Sequence, residues 1–128
     1  MNKVIVLAIQ VLCIAACSRL LAVEGAGVDL ARLDGWDIVV AGDAIPSERY
    51  AAGEFQHHFE LASGKQLAIV EKTDRPDRHV FIGRSHAMLA SNVGFDPEQY
   101  GEEDLRIIAR NGNIAIAGGR PRGTLYGV

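Results

Sequence analysis

The chain predicts an α+β fold built on a mixed β-sheet, and three observations carry that expectation. Leu105, Ile107 and Ala109 alternate with Arg106, Ile108 and Arg110, Asn111-Gly112 interrupts the run, and Ile114 and Ile116 resume it, which is the pattern of a tight hairpin. Ser47–Ser63 places Ala51, Ala52, Phe55, Phe59 and Ala62 at helical spacing, with Ser47 itself as the capping residue and Gly64 after the span. Around that helix stand apolar stretches rich in β-branched residues and too short for helices. The expected order is β-α-β-β-β-β-α, with the helices packed on one face of the sheet.

Taken in order, residues 1–22 read as an export signal. Lys3 supplies a positive side chain and Val4–Ala16 is apolar except for Gln10, a run shorter than the ~20 residues needed to span a bilayer. Two processing routes stay open. Ile14-Ala15-Ala16-Cys17 has the form of a bacterial lipoprotein box, with Cys17 as the lipidated residue, while the small residues Ala16 and Ser18 also suit ordinary cleavage. A periplasmic, extracellular or outer-membrane location follows, and membrane contact is expected only through such a lipid. Residues 23–35 form a glycine-rich lead-in, and residues 36–128 supply material for one small domain.

Within that domain, Trp36–Ala41 is a first strand with Ile38 and Val40 on one side. The helix after Ser47 should bury Phe55 and Phe59, for roughly 1.5–3 kcal/mol each. Gly53 costs this helix about 1 kcal/mol of propensity and is expected to mark a close approach to a neighbour. Lys65–Glu71 and His79–Gly83 are two further strands, the latter apolar enough to be central, and His86–Ala90 is a short helix. Asn92–Glu103, with Gly94, Pro97 and Gly101, is a surface loop before the hairpin. After Gly118-Gly119, Pro121 sets φ for a closing helix that begins around Thr124 and is expected to continue past Val128, so the sequence reads as a fragment.

Composition excludes several chemistries. Both cysteines, Cys13 and Cys17, lie in the export signal, so the domain has no thiol for a disulfide, a metal or nucleophilic attack. Without residues 1–22 the chain keeps 11 of its 13 basic side chains against 16 acidic ones, a formal charge of −5, which argues against a nucleic-acid partner. Gly118-Gly119-Arg120-Pro121-Arg122-Gly123-Thr124 looks like the start of a phosphate loop, but Thr124 stands where the lysine belongs. Turn glycines are therefore the preferred reading, with Arg120 and Arg122 as the residues that would touch an anion or sugar. Glu54, His57, His58 and Glu60 share a helix, yet His79 and His86 fall on other elements, so solvent-facing or interface histidines are expected rather than a metal site. Asp96, Glu98, Glu102, Glu103 and Asp104 read as solvated acids, and Ser85-His86 lacks the context of a hydrolase triad. Trp36, Tyr50, Tyr100 and Tyr126 are too scattered for a sugar platform, and Tyr126 is expected in a core or a domain interface. No catalytic set and no cofactor are expected in the chain itself.

The motifs nonetheless carry a family likeness. Pro46-Ser47-Glu48, Ala51-Ala52 with Phe55, Ser63-Gly64-Lys65, His79-Val80-Phe81-Ile82-Gly83, and above all Ile114–Gly119 followed by Gly123-Thr124-Leu125-Tyr126-Gly127-Val128 resemble the N-terminal, hexosaminidase domain-2-like domain of bacterial α-glucuronidases and β-N-acetylhexosaminidases. The resemblance implies a non-catalytic domain of an exported glycoside hydrolase, of the α-glucuronidase kind that acts in xylan breakdown. Its partner would be a downstream (β/α)₈ barrel that holds the catalytic acids. Gly118, Gly119 and Gly123 would form the turn, and Leu125 and Tyr126 would dock the final helix. Two alternatives remain at this stage: a glycan- or anion-binding module using Arg120 and Arg122 or an exposed edge strand, and a free-standing lipoprotein without enzyme activity.

Overall fold

The computed structural model describes residues 26–128, so the export signal and Cys17 lie outside the described residues. Five strands, β1 (Asp37–Val39), β2 (Ala68–Val70), β3 (His79–Ile82), β4 (Leu105–Arg110) and β5 (Asn113–Gly118), form one sheet in the order β2-β1-β3-β5-β4. β2, β1, β3 and β5 are parallel and β4 pairs antiparallel with β5, so the sheet is mixed and the α+β class holds. The helices are α1 (Pro46–Ser63), α2 (His86–Ala90) and α3 (Gly123–Tyr126).

β3 is the middle strand because its sequence, His79-Val80-Phe81-Ile82, has no face that tolerates water: all four residues are buried. Val80 and Ile82 join Ile38, Ile114 and Ile116 in a core under α1, and Leu125 of α3 packs on the same core. Phe81 turns the other way and meets Val39, Ala115, Met88 and Val93. This second core needs its own cover, which α2 and the segment after it provide. The expectation of helices on one face thus holds for α1 and α3, while α2 lies on the opposite face.

α1 differs from its sequence reading at its amino end and in how deeply its apolar side chains are buried. Its cap is Ile45 rather than Ser47, and the Glu48 carboxylate accepts from the Ile45 N–H at 3.2 Å; the Ser47 hydroxyl instead donates to the Pro121 carbonyl at 2.6 Å. Gly64 ends the helix in the left-handed region at φ 70°, its N–H donating to the Glu60 carbonyl, as expected. Ala51 and Ala52 are fully buried, but Phe55 and Phe59 stack at 6.1 Å and stay half-buried, and Ala62 is exposed. Phe55 and Phe59 pack against the edge of the core, whereas Leu61 and Ala62 at the end of the helix face solvent.

The hairpin matches the sequence reading. Asn111 and Gly112 take φ of 43° and 80°, both positive as a two-residue turn of the I′ type requires, and β4 pairs with β5 from Leu105↔Gly118 to Arg110↔Asn113. Pro121 follows a cis peptide bond from Arg120, two residues ahead of α3 rather than in its first turn.

Two glycines make opposite predictions. A Cβ on Gly53 would meet nothing within 4 Å, contrary to the expected close approach, so Gly53→Ala should stabilise the fold by about 1 kcal/mol. A Cβ on Gly119 would drive into the Gly101 carbonyl oxygen, so Gly119→Ala should cost roughly 3 kcal/mol or more. Thermal unfolding of the two variants should show melting temperatures moved in opposite directions, with the larger displacement downward for Gly119→Ala.

Candidate functional site

The carboxyl ends of β3 and β5 gather the charged residues nearest the glycine bend. The bend is a backbone-on-backbone contact: Gly118 and Gly119 are buried, and a side chain at Gly118 or Gly123 would strike the Asp104 carbonyl. The Gly119 N–H donates to that same carbonyl at 2.9 Å, and the Gly118 N–H donates to Thr124 Oγ1 at 3.1 Å. Thr124, which replaces the lysine of a phosphate loop, is thereby used inside the bend.

Both arginines of the bend face carboxylates. Arg120 donates through Nε and Nη2 to the two oxygens of Glu48, at 3.3 and 3.2 Å. Glu48 is only 1 % exposed, and its carboxyl group lies over Gly83, where an added Cβ would meet Glu48 Cδ at 2.8 Å. Arg122 lies between Glu102 and Glu103, at 3.6 and 3.1 Å, on the open surface. Glu102 and Glu103 are therefore exposed pairing partners, while Asp104 accepts from the Gly101 N–H to shape the turn before β4.

Between Glu48 and the loop before β4 lies a cavity of about 230 Å³ lined by Glu48, Arg84, Pro97, Glu98, Tyr100 and Arg120. Arg84 Nε is 3.4 Å from a Glu98 oxygen and 3.7 Å from an Asp96 oxygen, close enough for charge pairing, yet this buried atom makes no hydrogen bond. Tyr100 meets the Phe95 ring edge-on at 5.9 Å. The sequence offered no sign of Arg84, because the residue after a strand is usually loop and only the fold brings it opposite Arg120.

At the amino ends of the strands a buried polar network was equally hidden. His79 is 1 % exposed, its Nδ1 lies 2.5 Å from Asp37 Oδ1, and its Nε2 lies 3.0 Å from both Thr73 Oγ1 and the Arg75 carbonyl. Arg75 closes the circuit by donating to the other Asp37 oxygen at 2.6 Å. Asp, His and Thr in a row have the outline of a nucleophilic triad. The chemistry differs, however: the Arg75 carbonyl can only accept, so it competes with Thr73 for the same Nε2 position, and Thr73 itself accepts from the Arg75 N–H. This network secures the Thr73–Arg78 connection to the ends of β1 and β3. Asn113 extends it, accepting from the His79 N–H and donating to Pro76 O and Asn92 Oδ1.

The other expected site residues remain apart. His58 Nε2 is 3.5 Å from Glu54 Oε2 on the exposed side of α1, and Ser85 caps α2 by accepting from the Met88 N–H. Among the described residues, no group of three or more His, Cys, Asp or Glu side chains is placed to hold a metal ion, and no helix is long and apolar enough to cross a membrane. Leu125 packs part-buried on the core, whereas Tyr126 is 54 % exposed and outside this core. A final feature is apolar: a groove of about 370 Å³ between α1 and β4, lined by Leu30, Phe55, Phe59, Ile107, Ala109 and Val128 among others, in which Ile107 is 54 % exposed.

Removing His79 empties a buried position and leaves Arg75 as the remaining side-chain partner of the part-exposed Asp37, so His79→Ala should lower stability by about 2–4 kcal/mol in urea unfolding. Glu48→Ala should cost less, about 1–3 kcal/mol, because Arg120 is half exposed and water replaces part of the pair. No protein family, no curated protein and no solved structure matches the chain.

Proposed function

We propose that this chain is a non-catalytic domain of an exported glycoside hydrolase, of the α-glucuronidase kind, and that it supports a catalytic barrel carried by the same polypeptide. The observation that carries the reading is the apolar groove between α1 and β4. Apolar residues left part-exposed on a helix and along an edge strand are poorly placed in a domain that meets only water, because each loses part of the burial that would stabilise it by roughly 1.5–3 kcal/mol. Leu30, Phe55, Phe59, Ile107 and Val128 line one such surface, and Leu105 and Tyr126 add exposed apolar area. Val128 on that surface fits the strand, glycine bend and Tyr-Gly helix that the family uses to lead towards its barrel.

On this reading the glycosidic bond is cleaved by acids of the barrel, and the carboxylates of the bend serve structure, with Glu48, Glu102 and Glu103 paired to Arg120 and Arg122. That pairing also weakens the alternative of an anion site at Arg120 and Arg122, since an anion would have to displace a carboxylate from each.

The reading frame beyond Val128 should continue for about 250 residues or more, the size of a barrel. The full polypeptide should release uronic acid from glucuronoxylan and the 128-residue chain should not. A stop codon directly after Val128, or hydrolysis by the 128-residue chain alone, would overturn the proposal. In the full polypeptide, Ile107→Asp should lower the melting temperature while leaving the 128-residue chain nearly unaffected, because the exposed Ile107 gains its burial only from the second domain.

A further inference from the structure

We propose that the cavity at the carboxyl ends of β3 and β5 is a binding site for a neutral polyol about one sugar ring in size, held between Arg84 and Glu98. Its place in the fold favours a ligand. From β3 the chain departs through α2 on one face, and from β5 through α3 on the other, so the two strand ends diverge there and leave a crevice. The volume, about 230 Å³, is below the ~300–1,000 Å³ of drug-sized pockets and suits one small ring.

The polar lining selects the class of ligand. Arg84 and Arg120 contribute two positive charges, and Glu48, Asp96 and Glu98 contribute three negative ones, so an anion meets no net attraction. Arg120 and Glu48 are spent on each other. What remains is a buried donor without an acceptor, Arg84 Nε, beside an exposed carboxylate, Glu98, at 3.4 Å. A hydroxyl group both accepts and donates, so a vicinal diol can take the Arg84 hydrogen on one oxygen and give a hydrogen to Glu98 from the other. A carboxylate, which only accepts, satisfies Arg84 and is repelled by Glu98, and phosphate, although its protonated oxygen can donate, brings a net negative charge against Glu98. Pro97 and Tyr100 supply an apolar wall for the C–H side of a ring, and Phe95 holds Tyr100 edge-on. The floor is firm, because Glu48 is fully buried against Gly83, and Gly118 is packed on the Asp104 and Gly123 backbone.

The site is independent of the apolar groove and of any barrel, so the 128-residue chain is a sufficient sample. The test is a titration followed by amide chemical shifts, using methyl glucoside, cellotriose and inorganic phosphate at millimolar concentrations. The expected result is saturable shifts at Arg84, Glu98 and Tyr100 with methyl glucoside or cellotriose, and the ratio of the two affinities separates a free ring from a ring at a chain end. Arg84→Gln and the exposed-site variant Glu98→Gln should each weaken binding by about tenfold or more, with the rest of the spectrum preserved. Silence with both sugars, shifts with phosphate alone, or sugar shifts that survive both substitutions in a folded protein would each overturn the proposal.

Discussion

Backbone packed directly on backbone at Gly118, Gly119 and Gly123 is the contact on which the rest of this domain depends. The carbonyls of Asp104 and Gly101 occupy the space that side chains would need, and the Gly119 N–H is satisfied only because Asp104 comes so close. That approach brings the end of β5 against the start of β4. It aims Arg120 at the first turn of α1, where Glu48 waits, and it places the Pro121 carbonyl within reach of Ser47. Helix, bend and edge strand are thus joined through a few backbone atoms, without a disulfide.

The buried charges follow the same economy. Glu48 serves both as the acceptor for the Ile45 N–H and as the partner of Arg120, so one carboxylate orients a helix and secures a loop. At the opposite end of the sheet, Asp37 accepts from both His79 and Arg75. Glu48 is buried and Asp37 part-buried, and each has more than one donor, which is the condition under which a charge can be withdrawn from water without a large loss of stability. The two networks bracket β3, one at its amino end and one at its carboxyl end, so the most buried strand is tied down on both sides.

The surface divides by chemistry. The carboxyl end of the sheet is polar and concave, and the groove between α1 and β4 is apolar and open. A protein that met only water would have little use for the second, and one that served only as a spacer would have little use for the first. In the function proposed above, this division leaves the apolar surface to a larger neighbour and keeps a separate polar crevice free.

By itself the sequence determined the elements and their class. Alternation at Leu105–Ile116, positive-φ residues at Asn111-Gly112, helical spacing from Ala51 to Phe59, and the Gly64 terminator are local signals set by neighbours in the chain, and each appears in the structure. The apolar His79–Ile82 run was legible as a central strand for the same reason: a run with no polar face has to be covered on both sides. The bend glycines were also visible as a structural turn. Only the tertiary structure decided what met what. That Asp37 lies beside His79 follows from the parallel register of β1 and β3, strands separated by a helix and a third strand. That Glu48 caps α1 while Ser47 reaches Pro121, and that Arg84 opens onto a cavity with Tyr100, follow from segments far apart in sequence. Local periodicity encodes which face of an element is apolar, whereas side-chain partnerships across parallel strands depend on strand order, which no local pattern contains.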